Sequence, residues 1–171
     1  MEEIVEKYKD LVFRLAFSYC GNSTDADDIF QEVFLRYYHK KPQFESEEHE
    51  KAWFIRVSIN CSKSLLTTPW RTQTVELDEN IPFQDSYESD LFRAILELPP
   101  KYRAVIELYY YEGYKIREIA KLLHRSENAI KQRLSRARKQ LKKTLSEERG
   151  FKKGDFSHEY KTEGQRNSQC I

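Results

Sequence analysis

The sequence predicts an all-α protein: an N-terminal helical bundle and a C-terminal helix-turn-helix domain, joined by a flexible acidic linker. Three observations carry this. Apolar residues recur at three- and four-residue spacing through residues 1–66 and again through 91–145, the period of one helical face. Residues 67–90 hold Pro69, Pro82 and scattered acids without that period, the mark of a linker. Charge is also unevenly divided. The net charge is −3 over residues 1–66, −5 over 67–90, +9 over 91–145 and 0 over 146–171, which together make the +1 of the 171-residue chain. A strongly basic segment inside a near-neutral protein suggests a polyanion-binding module tethered to something that binds differently.

Taken in order, Ile4, Tyr8, Leu11, Val12, Leu15 and Tyr19 give a first amphipathic helix, ended by Gly21-Asn22. Thr24 with Asp27 three residues later reads as a capping box for a second helix. Asp25, Asp27 and Asp28 sit where the positive end of its dipole favours acids. Ile29, Val33, Phe34 and Tyr37 form its apolar face, and Lys40-Lys41-Pro42 breaks it. A third helix starts near Glu47 and runs through Trp53, Val57, Cys61 and Leu65. Beyond the linker a second helical unit begins near Ser89. Leu91, Ile95 and Leu98 lead into Pro99-Pro100, which stops one helix and lets Pro100 begin the next. Val105, Ile106, Leu108 and Tyr109 continue that helix to Gly113. Residues 146–171 are polar and aperiodic and read as a disordered tail.

Other classes find little support. No apolar run approaches the roughly 18 residues of a membrane span, and Met1-Glu2-Glu3-Ile4 is no secretory leader, so a cytoplasmic location without membrane insertion is expected. Cys20, Cys61 and Cys170 are odd in number and far apart, which suggests neither a disulfide framework nor a zinc site; they read as reduced thiols packed as small hydrophobes. The four histidines and scattered acids show no nucleophile motif, paired spacing or metal set. No enzyme, cofactor or metal is therefore expected.

The most informative stretch is 116–145. Ile116, Ile119, Ala120 and Leu123 mark one face of a short helix, His124-Arg125-Ser126 a turn, and Ser126 a cap for the next helix. Ile130, Leu134, Ala137, Leu141 and Leu145 then form one apolar stripe. Lys131, Gln132, Ser135, Arg136, Lys139 and Lys142 point away from it at about 100° per residue. Two helices joined by a three-residue turn, the second basic outward, fit a major-groove reader. Lys131 and Gln132 lie in the first turns, where lysine can bond guanine and glutamine adenine. Arg136, Lys139 and Lys142 suit phosphates. A charged helix face in a bundle is often merely solvated; the preceding helix and the size of the turn favour DNA.

At this point the residues resemble a family. Leu98-Pro99-Pro100-Lys101-Tyr102-Arg103, then Glu118-Ile119-Ala120, then Arg133-Leu134-Ser135-Arg136-Ala137-Arg138 are similar in order and spacing to the C-terminal promoter-binding domain of sigma-70 family factors. Asp25-Ala26-Asp27-Asp28-Ile29-Phe30-Gln31-Glu32-Val33-Phe34 resembles that family's polymerase-docking helix. Ala52-Trp53-Phe54-Ile55-Arg56-Val57-Ser58-Ile59-Asn60 is similar to its −10-reading segment. The two-domain form resembles the extracytoplasmic function (ECF) group.

The resemblance implies a sigma factor that directs core RNA polymerase to promoter DNA, for a stress or envelope regulon, with an anti-sigma factor as a further partner. Residues 1–66 would bind polymerase and the −10 element, and 91–145 the −35 element. Asp28, Gln31, Glu32, Phe34 and Leu35 would contact polymerase. Phe44, Arg56, Asn60 and Lys63 would serve the −10 element, and Ser126, Lys131, Gln132, Ser135, Arg136 and Lys139 the −35 element. The acidic linker would thread toward the active-centre and RNA-exit region.

The chain departs from the family's pattern in places. His124 replaces a glycine in the turn, although histidine can reach left-handed conformations. Asn128-Ala129 replaces Gly-Thr. Ser64-Leu65-Leu66-Thr67-Thr68 is uncharged where arginines are common, and Glu45-Ser46-Glu47-Glu48 is acidic where DNA must pass. Two alternatives therefore stand beside the sigma reading: a polymerase-binding modulator that lacks autonomous promoter opening, and a non-sigma helix-turn-helix regulator.

Overall fold

The computed structural model describes residues 2–67 and 90–149. Their regular structure is helical: α1 (Glu2–Cys20), α2 (Ser23–Lys40), α3 (Glu47–Leu66), α4 (Asp90–Leu96), α5 (Pro100–Ile106), a π-helical turn (Glu107–Tyr111), α6 (Ile116–Leu122) and α7 (Glu127–Arg149). Most of the expected linker and the tail from residue 150 lie outside the described residues. α7 continues through Ser146 to Arg149, past the point where a tail was expected; Leu145 is buried and anchors that turn.

Local chemistry accounts for the helix ends. Asn22, rather than Thr24, caps α2: its side-chain oxygen accepts the Asp25 N–H at 2.8 Å. The helix therefore starts at Ser23 and the expected capping box is not used. Ser46 caps α3 by accepting the His49 N–H at 3.2 Å. Pro100 opens α5 as its first residue, where a missing N–H costs nothing. Lys41 ends α2 in the left-handed region (φ 41°), its N–H donating to the Tyr37 carbonyl. Gly113 (φ 71°) closes the π-turn, and the Tyr114 N–H returns to the Leu108 carbonyl.

α1 organises the packing. It lies against α2 and α3 on one side and α5 on another. Phe54 of α3 is fully buried, stacked on Tyr8 (4.3 Å between centroids) and Tyr37 (5.3 Å) and tilted against Phe34 (5.5 Å). Cys20 and Cys61 are buried and not joined in a disulfide. On the other side of α1, Phe17 stacks with Phe92 of α4 at 6.2 Å, and the buried residues of both halves form one continuous cluster.

Polar contacts close this seam. Arg103 of α5 donates to the Leu96 carbonyl (3.1 Å) and to the Tyr19 carbonyl at the end of α1 (3.0 Å), so one guanidinium serves the last turns of two helices. Arg14 of α1 donates through Nε to Glu107 (3.1 Å) and through a terminal nitrogen to Glu112 (2.6 Å). Lys51 of α3 reaches the other Glu112 oxygen at 2.9 Å. Burial raises the Glu112 carboxyl, but the hydrogen bonds from Lys51 and Arg14 outweigh it and hold its pKa below the ordinary value. For Glu107 burial wins over Arg14 and pushes the pKa up to about 7.

Two predictions follow from this packing. Phe54→Ala should cost about 3–5 kcal/mol in urea unfolding; a loss below 1 kcal/mol would remove Phe54 from the centre of the core. Glu107 holds its proton more tightly folded than unfolded, so its contribution to stability is complete below about 4.5 and lost as pH rises toward 7. The melting temperature should fall over that window, less steeply in Glu107→Gln; equal slopes in both proteins would contradict the raised value.

Candidate nucleic-acid interface

The interface is built on α6 and α7. Ser126 caps α7 as expected, its hydroxyl accepting the Ala129 N–H at 3.2 Å. His124 takes φ 51°, so the residue standing for glycine does adopt the left-handed turn. The Glu118 carboxylate accepts the Lys115 N–H at 2.7 Å and ties down the start of α6. With both helix starts held, Ile119, Ile130, Leu134 and Ala137 are buried. Lys131, Gln132, Ser135, Arg136 and Lys139 are exposed. The apolar stripe and the basic face thus part as the helical period requires.

Two features of this face were not anticipated from the sequence. Arg117, Lys121 and Arg125 line an open cleft of about 590 Å³ together with His124, Ser126 and Ala129, bringing three more cations beside the start of α7. Arg117 and Lys121 are four residues apart, on one helix face. That spacing is the signal in the sequence, set on the exposed side of α6 away from the buried Ile119 and Ala120. Arg138, in contrast, is engaged within the chain. Its Nε donates to the Tyr110 hydroxyl at 2.8 Å and its guanidinium lies 5.6 Å from the Tyr109 and Tyr110 ring centroids. This cation–π contact pins the middle of α7 to the π-turn.

In the N-terminal half, Asn60 and Lys63 are exposed on the last turns of α3, and Arg56 is half-buried with Nε 3.4 Å from the Ala52 carbonyl. Burial, then Arg125 and Arg133 across the seam, lower the Lys63 pKa, so the end of α3 lies within electrostatic reach of the helix-turn-helix. Phe44 folds back against Tyr37 (6.4 Å) and Trp53 (6.1 Å). The loop places it on the aromatic cluster, where it shields the core edge.

On α2, Asp28, Gln31 and Glu32 are exposed, and Glu32 pairs with Arg36 at 2.6 Å. Leu35 is 52% exposed, as is Tyr38 nearby at 53%. Phe34 departs from its expected contact role: it is buried and packed on Phe30 and Phe54. It shares the helix face of Phe30 and Val33 rather than that of Leu35. Among the described residues no set of His, Cys, Asp and Glu could hold a metal ion, and no helix is long and apolar enough to cross a membrane.

Comparison with known proteins places this geometry. The family model of sigma-70 region 2 matches residues 4–72, and that of sigma-70 region 4 matches residues 89–141. RNA polymerase sigma factor SigV of Bacillus subtilis is 32% identical over 150 residues, spanning 84% of this chain and 90% of that one. ECF RNA polymerase sigma factor SigW of the same organism is 28% identical over 163 residues, spanning 84% and 87%. The fold is similar to that of the sigma factor RpoE in its co-crystal with the anti-sigma factor NepR from Bartonella quintana. There the TM-score is 0.72 at 22% identity, covering 85% of this chain and 96% of that one. It is also similar to CnrH in complex with the cytosolic domain of CnrY, with a TM-score of 0.62 at 24% identity, covering 85% and 87%.

Proposed function

Because the chain belongs to the sigma-70 family of RNA polymerase sigma factors, in its extracytoplasmic function group, we propose a division of labour between its two halves. The protein is a transcription initiation factor and not an enzyme. Residues 1–66 engage core polymerase and the −10 element; residues 91–145 engage the −35 element as duplex DNA.

One observation carries this reading: α7 buries Ile130, Leu134 and Ala137 while leaving Lys131, Gln132, Ser135, Arg136 and Lys139 outside. Lys131 and Gln132 read base edges near the start of the helix, and Arg136 and Lys139 hold phosphates. The Arg117–Lys121–Arg125 cleft adds phosphate contacts beside Ser126. Polymerase docks on α2 through Asp28, Gln31, Glu32 and the exposed Leu35. Asn60 and Lys63 serve the −10 element, with Arg56 supporting α3 behind them. A cytoplasmic location suits this work, and the similar sigma factor captured with an anti-sigma factor supports one as a partner here. The regulon is one of stress or envelope response.

A specific observation keeps a second reading in view. Beyond Asn60, Lys63 is the one charged residue up to Thr68, so the −10 half draws little on phosphate. A chain that binds polymerase but needs help to open promoters would follow from that, and it would bind core without giving an open complex.

Lys131→Ala with Gln132→Ala should weaken binding of the −35 duplex by about 1–3 kcal/mol per base contact and leave polymerase association unchanged; wild-type promoter selectivity would contradict the assignment. Charge reversal at Asp28 and Glu32 should lower association with core polymerase in a pull-down, while −35 binding stays intact. An unchanged pull-down would make those acids ordinary helix surface.

A further inference from the structure

A second cavity lies where α1 meets α4 and α5, lined by none of the residues assigned above to polymerase or DNA. Its volume is about 270 Å³. Phe17 of α1, with Phe92, Ile95 and Ile106, gives it apolar walls. Phe17 and Phe92 stack at 6.2 Å and make one side aromatic. Three charged side chains share the lining: Arg14, Glu107 and Arg103. Apolar walls with a few convergent polar groups are the usual form of a small-molecule site.

The three charges are not equally satisfied. Arg14 pairs with Glu107 at 3.1 Å and with Glu112 at 2.6 Å. Lys51 holds the second oxygen of Glu112 at 2.9 Å, so these four charges cancel. Arg103 is different. It is 7% exposed, and its two terminal nitrogens donate to the Leu96 and Tyr19 carbonyls. Those helix ends offset part of its charge, but no carboxylate among the described residues pairs with it. Its Nε is buried and has no hydrogen-bond partner. Burial lowers the Arg103 pKa, with the Cys20 thiol pulling the other way. An unpaired donor on a buried cation is costly, and native folds rarely keep one without a reason. A water molecule would satisfy Nε, but it would bring no negative charge and would wet the aromatic wall.

Charge and volume together fix the class of ligand. The lining carries one uncompensated positive charge, which a monoanion neutralises and a cation or dianion does not. A carboxylate supplies that charge while accepting from the guanidinium. A cavity of about 150 Å³ holds a benzene ring; the larger volume here takes a ring with a short side arm. We propose that this cavity binds a small monocarboxylic acid with an aromatic or branched apolar body. Its carboxylate accepts from Arg103, and its body lies against Phe17, Phe92, Ile95 and Ile106. Such a ligand touches α1, α4 and α5 at once and stabilises the folded chain by mass action.

The test uses the full chain with phenylpropionate as the probe. Phenylpropanol keeps the apolar body without the charge, and acetate keeps the charge without the body. In a calorimetric titration phenylpropionate should saturate a single site and bind at least about tenfold more tightly than either control. Nuclear Overhauser contacts should run from its ring to Phe17 and Phe92, and the Arg103 Nε–H resonance should shift. Ile95→Phe fills part of the cavity and should weaken binding at least about tenfold while the variant stays folded by circular dichroism. No saturable binding at millimolar probe, ring contacts elsewhere on the protein, or undiminished binding by folded Ile95→Phe would overturn the site. Equal affinity for the acid and the alcohol would overturn the role of Arg103. The Overhauser contacts are read on the wild-type chain, so they decide the site even if Ile95→Phe fails to fold.

Discussion

The structure depends on α1 having almost no face to give to solvent. From Leu11 to Cys20 every residue but Arg14 and Ser18 is buried. A helix with that much apolar surface must be covered on more than one side. α2 and α3 cover one side through the aromatic cluster around Phe54. The second side is met by α4 and α5, with Phe92 on Phe17. Arg14, the one charge in that stretch, then has to be satisfied where the halves meet, and Glu107 and Glu112 do so. The bundle, the seam and the placement of the helix-turn-helix beside α3 all follow from covering α1.

The same covering sorts the functional surfaces. With α6 and α7 committed inward through Ile119, Ile130, Leu134 and Ala137, their basic residues have only the outside left. On α2, burial of Ala26, Ile29, Val33 and Phe34 leaves Asp28, Glu32 and Leu35 outward. Even Arg138, which resembles its neighbours in sequence, is assigned by packing. It is drawn to the tyrosines of the π-turn, whereas Arg136, two residues earlier, faces solvent. Function in this family needs charged groups held in register without being consumed by the fold, and the one-sided burial of short helices provides that.

Much of this was legible in the residues. The α7 stripe, the Ser126 cap and the left-handed His124 rest on local rules that packing did not override. Other features needed the third dimension. Asn22 and Thr24 are both good caps, and only the path of the chain after Gly21 decides between them. Phe34 satisfies an apolar pattern and a docking motif at once, so burial had to separate the two. Phe13, Phe17 and Cys20 form the second apolar side of α1, but they fall outside the single stripe that spacing picks out. Glu107 and Glu112 look like ordinary surface acids, because their partners are more than ninety residues away for Arg14 and about sixty for Lys51. Long-range pairs of this kind leave no periodic trace.

The most direct test of the whole account is run-off transcription with purified bacterial core polymerase, with and without this protein, on fragments of the source genome. The account predicts discrete transcripts that appear only when the protein is present and that start from promoters sharing a −35 and a −10 sequence. Core polymerase yielding the same products with and without the protein would contradict it.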